Sequence, residues 1–256
     1  MQVKRLSSSR VTTFLICPYR YYCQYCLELW KPANIALAIG TVFHDTTKHN
    51  YLQKCDTYRD LPLDDVLAIF SAGFDEHEIE LRQGEDRGIE KDSGIMLLAE
   101  YQSVIAYKIQ PVEVEQMFTM TFSNKPWPFT GRVDLVSDDG IVIENKTTAR
   151  GLNRPRDTHL LQTYGYTSAM RRKLQSPDME ARIDYGVRGK VPRILSFPVE
   201  VTEAEERYFL TLLSGVAKGI EAEIWYANRV NNNLCSQRYC RYWQECEAEN
   251  GGRVKP

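Results

Sequence analysis

Two carboxylates and a lysine stand in two segments that otherwise read largely as buried strands. Gly131-Arg132-Val133-Asp134-Leu135-Val136 and Ile141-Val142-Ile143-Glu144-Asn145-Lys146 are largely apolar, yet they carry Asp134, Glu144 and Lys146. Carboxylates and ammonium groups at such positions are costly unless they are paired or bound to metal. Two carboxylates can hold a hard divalent cation through oxygen ligands, and a lysine two residues further on can reach the same reacting group. The same residues also suit a cross-strand ion pair on a solvated face, so the segments alone leave both readings open.

Register decides whether these side chains meet. Asp138-Asp139-Gly140 suits a three-residue hairpin loop, a type I turn closed by glycine in the left-handed region. Ser137 then faces Ile141, and counting back sets Asp134 opposite Glu144, with Lys146 on the Glu144 face. A four-residue loop would turn Asp134 to the other face.

The elements around the hairpin follow from caps and periodicity. Ser7-Ser8-Ser9 caps a helix running to about Ile16, and Cys17-Pro18 interrupts it. Helices are expected over Tyr19–Leu29, Ala36–Lys54, Asp64–Arg82 and Gly94–Gln110, then strands over Val112–Phe122, Phe129–Ser137 and Ile141–Thr147. Asp157 is expected to cap an amphipathic helix running to about Leu174. Two β-rich runs, Ala181–Val187 and Arg193–Val201, precede a long helix that Thr202 and Glu205 would cap and that reaches about Tyr226. Asn231-Asn232-Asn233 breaks the chain before a cysteine-rich tail. The order is that of an α/β fold with a mixed central sheet.

With 256 residues, 43% of them hydrophobic, the chain can bury a sizeable core. A single domain over 1–256 is expected, mainly helical over 1–110, α/β over 111–230 and cysteine-rich over 231–256. No apolar run approaches a membrane span, and Met1-Gln2-Val3-Lys4-Arg5 lacks a signal-peptide core, so no membrane partner and a cytoplasmic location are expected. Seven cysteines in a reducing compartment point to metal or cluster ligands more than to disulfides. The net charge of −2 does not advertise a nucleic-acid binder, but its distribution is uneven. Asp56 to Glu100 holds thirteen acidic and four basic residues, whereas Asn145 to Leu195 holds eleven basic and four acidic. A phosphate backbone needs a local basic patch of this kind, although solvated surface would account for any single arginine.

Asp134-x9-Glu144-x-Lys146 resembles the core of the PD-(D/E)XK nuclease superfamily. Further features resemble its RecB-like branch: Gly40-Thr41-Val42-Phe43-His44, Gln162-x-x-x-Tyr166, Glu115 upstream of the hairpin, and Cys17 with Cys235, Cys240 and Cys246. The CRISPR-associated RecB-like exonucleases and the nuclease domain of AddB are similar. The resemblance implies a restriction-endonuclease-like core, a mixed central sheet flanked by helices with an N-terminal helical insertion. It implies His44, Asp134 and Glu144 as ligands of Mg²⁺ or Mn²⁺, Lys146 as the catalytic lysine, and Gln162 and Tyr166 beside it. The four cysteines would hold a [4Fe–4S] cluster, a staple joining the chain ends. Their C-terminal spacing is C-x4-C-x5-C where the branch has C-x2-C-x5-C, and zinc also accepts four thiolates. Cys23, Cys26 and Cys55 fall outside the pattern.

The function implied is a metal-dependent DNA exonuclease acting on single-stranded or frayed ends. The alternatives are a non-catalytic DNA-binding scaffold for a helicase or a CRISPR integrase, and a zinc-stapled structural protein. No G-x-x-x-x-G-K-[ST] P-loop is present, so unwinding would come from a helicase or CRISPR adaptation partner.

Overall fold

Short polar residues start several of the helices. A computed structural model describes residues 5–123, 125, 127–230 and 232–256. Met1–Lys4 and Asn231 of the expected chain break lie outside the described residues. Ser7 caps α1 (Ser8–Ile16) by accepting from the Arg10 N–H, and Pro18 opens α2 (Pro18–Tyr21), which widens into a π-type turn over Tyr22–Cys26. After β1 (Ala33–Asn34), Asn34 caps the long α3 (Ile35–Thr57). α4 (Leu63–Asp75) leads to β2 (Ile79–Glu80), which pairs in parallel with β1, and Asp86 caps α5 (Arg87–Val104). β3 (Pro111–Met120), β4 (Phe129–Ser137) and β5 (Ile141–Thr148) follow, then α6 (Asp157–Lys173), β6 (Glu180–Val187), β7 (Arg193–Val199), α7 (Glu203–Glu221) and α8 (Trp243–Asn250).

The sheet is mixed, as expected, with the order β3-β4-β5-β6-β7. β4 and β5 form an antiparallel hairpin, β6 and β7 another, and β5 lies parallel to β6. A parallel pair cannot be joined by a tight turn; α6 supplies the crossover.

The chain divides into two compact units. Pro32–Phe118 with Arg132–Glu203 forms one, holding α3 to α6 and most of the sheet. Its main core packs Phe43, Phe70, Phe74, Leu97 and Leu98 with Leu135 and Ile143 of the hairpin, and a second cluster gathers Ile183, Tyr185 and Val199. The other unit comprises the chain up to Lys31, Thr119–Gly131 and Ala204–Pro256. There Leu6 bonds to the Pro128 carbonyl, Phe129 meets Phe209 edge-on, and Tyr19, Cys23, Tyr242, Cys246 and Val254 form a small core. No helix among the described residues is long and apolar enough to cross a membrane.

Several expected boundaries shift. The helix expected over Asp64–Arg82 stops at Asp75, because Ile79 and Glu80 pair with Ala33 and Asn34. Asp86 starts α5 seven residues before the expected Gly94 by accepting from the Ile89 N–H. Asp157 is the first helical residue of α6 and pairs with Arg154 rather than capping the helix. α7 ends at Glu221, not near Tyr226, and the tail carries α8, which no sequence pattern announced.

Candidate active site

The turn after β4 has the three-residue form, with Gly140 at φ +81° and its N–H bonded to the Ser137 carbonyl. Leu135 pairs with Ile143 and Val136 with Val142, so Asp134 faces Glu144 across the hairpin. Lys146 Nζ lies 3.0 Å from Glu144 Oε2. Asn145, between them, sends its side chain to the opposite face, while its N–H donates to Asp134 Oδ2 at 2.8 Å.

α3 delivers His44. Gly40, one turn earlier, runs so close to β5 that a Cβ there would stand 3.3 Å from Thr147 Oγ1. The missing side chain lets the helix approach the strand, and His44 Nδ1 comes within 3.4 Å of Asp134 Oδ2. β3 delivers Glu115, whose backbone sits in the left-handed region at φ +52°. A non-glycine residue there carries a strain of about 1–2 kcal/mol, a pattern concentrated at functional sites. One ligand atom from each of His44, Glu115 and Asp134 lies within 4.8 Å of the others, a spacing that could hold a metal ion. The metal group expected from sequence had Glu144 in place of Glu115.

Glu144 is fully buried. Its Oε2 accepts from both Lys146 and Gln162 Nε2, the latter at 2.7 Å, while Oε1 is buried without a partner among the described residues. Burial and the nearby Asp134 carboxylate push the Glu144 carboxyl above its ordinary range. Burial also raises Asp134, but His44, Lys146 and the Asn145 N–H more than offset it and hold that carboxyl low. Burial and Asp134 raise Glu115, with Arg132 opposing at 2.7 Å. Lys146 is held protonated: burial would lower its pKa, but Glu144 and Asp134 outweigh that.

One face of α6 completes the surroundings. His159, Gln162 and Tyr166 are spaced three and four residues apart and so share a side. Gln162 reaches Glu144, and Tyr166 packs edge-on against Phe118. His159 Nδ1 lies 2.7 Å from the Tyr185 hydroxyl, in the register partner of Lys146. Sequence reasoning missed His159, and it missed a buried chain in which Tyr51 bonds Tyr101 at 2.9 Å and Tyr101 donates to Asn145 at 3.0 Å. No local signal joins residues from α3, α5 and β5.

In the other unit, Cys17, Cys235, Cys240 and Cys246 line one cavity, part of it open to solvent. No cysteine forms a disulfide. Burial raises the Cys235 and Cys240 thiols, and in each the neighbouring cysteines add to the shift. The Asn228 N–H donates to Cys17 sulfur at 3.4 Å and Arg229 to Cys246 sulfur at 3.2 Å. Cys23 is buried beside this group without lining the cavity, and Cys55 stands on α3 in the first-described unit.

Comparison with known proteins adds the lineage. The sequence model of the PD-(D/E)XK nuclease superfamily matches residues 5–247. A crystal structure of a candidate exonuclease from Eubacterium rectale superposes with a TM-score of 0.57 at 12% identity, covering 91% of this chain and 87% of that one. At that identity the likeness speaks for the fold, a restriction-endonuclease-like core. The structure of SSO0001 matches at a TM-score of 0.42 and 18% identity over 93% and 96% of the two chains, too slight to argue from. No curated protein matches the sequence.

Proposed function

Because the chain belongs to the PD-(D/E)XK nuclease superfamily, we propose that it is a divalent-metal-dependent deoxyribonuclease acting from single-stranded or frayed DNA ends. One observation carries this reading. Glu144 is buried with one oxygen unpartnered, beside Asp134 and Lys146 and within a site that also gathers His44 and Glu115. An unpaired buried carboxylate oxygen beside a second carboxylate is an expensive arrangement, and a cation relieves it.

The donor set fits a hard divalent ion, with oxygens for Mg²⁺ and an imidazole that favours Mn²⁺ relative to an all-oxygen site. His44, Asp134, Glu144 and Glu115 are the residues that would hold it. A bound ion of this type supplies Lewis acidity and lowers the pKa of a coordinated water. The chain's own groups do the rest. Gln162 and Lys146 fix Glu144 Oε2, and Oε1, without a partner among the described residues, would be open to a bound ion. The Lys146 ammonium places the attacking water or stabilises charge on the pentavalent phosphorus. The Asn145 N–H orients Asp134, and Tyr166 closes the side of the site next to Phe118.

Four free thiols around one cavity, with N–H donors to two of the sulfurs, support a [4Fe–4S] cluster as a structural cofactor. Zinc is the alternative for four thiolates, and iron and sulfide analysis separates the two. Action from ends is proposed on the description of the Eubacterium rectale neighbour, with a helicase or a CRISPR adaptation protein as the source of frayed ends. The test is digestion of linear and circular single-stranded DNA in Mn²⁺ or Mg²⁺. Loss of linear DNA alone supports an exonuclease, whereas cutting of circles makes the protein an endonuclease.

A further inference from the structure

Beyond the catalytic lysine the chain assembles a second group of residues that the metal site does not use. Its hub is Thr148, the last residue of β5 and two positions after Lys146. The Thr148 hydroxyl donates to the Arg150 carbonyl at 3.1 Å and accepts from Arg156 Nη2 at 3.1 Å. The Thr148 carbonyl accepts from the Arg188 N–H at 2.8 Å, which ties in the segment after β6. The Arg156 N–H donates to the Tyr185 hydroxyl at 3.1 Å, and the same hydroxyl meets His159. The loop between β5 and α6 is therefore held at both of its ends. Near its middle, Gly151 passes so close to Arg193 that a Cβ would stand 3.1 Å from Arg193 Nη2.

Charge separates this group from ordinary surface. Arg154 is matched by Asp157 at 2.6 Å, and Arg188 by Glu90 at 2.5 Å. Arg150, Arg156 and Arg193 are exposed, and none is ion-paired with a carboxylate among the described residues. Arg150 and Arg156 lie on this braced loop and Arg193 opens β7 beside Gly151; exposed guanidinium groups without carboxylate partners can take an anion, and their planar fork suits phosphate oxygens. A single strand running past Lys146 would bring a row of phosphates.

We propose that Arg150, Arg156 and Arg193 form a track that holds the backbone phosphates of the DNA strand flanking the bond at Lys146. This rests on the nuclease reading of the neighbouring site and names how that site holds its substrate strand.

The experiment uses the full chain carrying Lys146→Ala, so that DNA is bound without being cut. Affinity for a fluorescent oligothymidylate of about 20 nucleotides is followed by anisotropy as salt rises from about 50 to about 300 mM. Each phosphate contact on a single strand contributes about 0.7 to the slope of log affinity against log salt, so replacing all three arginines with alanine should lower the slope by about 2. Replacing them with lysine keeps the charge and should keep the slope. A slope unchanged by the alanines overturns the track. A slope lost equally with the lysines indicates a collapsed loop rather than missing charge and overturns it too. If Lys146→Ala still cuts DNA at the wild-type rate, the nuclease reading itself falls and takes the track with it. An unchanged slope in a protein that Lys146→Ala has inactivated removes the track alone.

Discussion

At Glu144, Lys146 and Gln162 converge on one carboxylate oxygen while the other oxygen, equally buried, meets no donor among the described residues. A cation that fills this gap binds the folded protein and not the unfolded chain, so it raises the melting temperature with the logarithm of ligand excess. Mn²⁺ is expected to raise the melting temperature of the wild type by several degrees in a thermal scan. Asp134→Asn should abolish that rise, and Glu144→Gln should weaken or abolish it. His159 makes a separate prediction. Burial, with Lys146 and Arg156 adding, pushes its imidazole down to about 3. Below the ordinary histidine range the unfolded chain takes up a proton that the folded one refuses, so stability is lost as pH falls from about 6.5 toward 3. Relative to wild type, His159→Gln should therefore gain at most about 1.4 kcal/mol per pH unit over that interval, read from urea unfolding at pH 7 and pH 5. The meeting of Asp134, Glu144 and Lys146 was legible in the sequence because Asp138-Asp139-Gly140 sets a register and strand alternation does the remainder. His159 was not, since its partner Tyr185 lies on a strand 26 residues away.

Elements show the same division between local and distant causes. The hairpin strands fell where turn chemistry put them, but helix ends moved. Tyr58 after α3, Gln175 after α6 and Glu223 after α7 all adopt the left-handed conformation that usually marks a terminal glycine. After α7, the Ile224 N–H reaches the Gly219 carbonyl and the Glu223 N–H that of Ile220, a Schellman closure without glycine to announce it. Gln175 is exposed, so Gln175→Gly should relieve strain and stabilise the protein by about 0.5–1 kcal/mol in urea unfolding. Gly94→Ala should act in the opposite direction. Its Cβ would sit 2.4 Å from the ring of Phe70, which is fully buried between α4 and α5, and overpacking of this kind costs about 1–3 kcal/mol. A helical glycine in sequence gives no hint of that ring.

On the scale of the whole molecule, composition and element order conveyed the α/β class and the mixed sheet, because both depend on local pattern. The grouping into two units was not legible. It relies on pairings such as Leu6 with Phe129, 123 positions apart, and on the chain's two ends meeting within one unit. The cysteines define what that unit should contain. Protein purified without oxygen is expected to carry about four irons and four sulfides per chain. Cys235→Ala or Cys246→Ala should lower that content sharply, and Cys55→Ser should leave it unchanged. Stoichiometric zinc without iron would replace the cluster with a structural zinc site.

The most direct measurement is cleavage of linear single-stranded DNA by wild type and Lys146→Ala, side by side, in Mn²⁺, in Mg²⁺ and in EDTA. A metal-dependent nuclease at this site predicts cleavage only with metal, a loss of at least about 10²-fold in the variant, and an unchanged far-UV circular dichroism spectrum. Wild-type cleavage by Lys146→Ala, or cutting in EDTA, would contradict it.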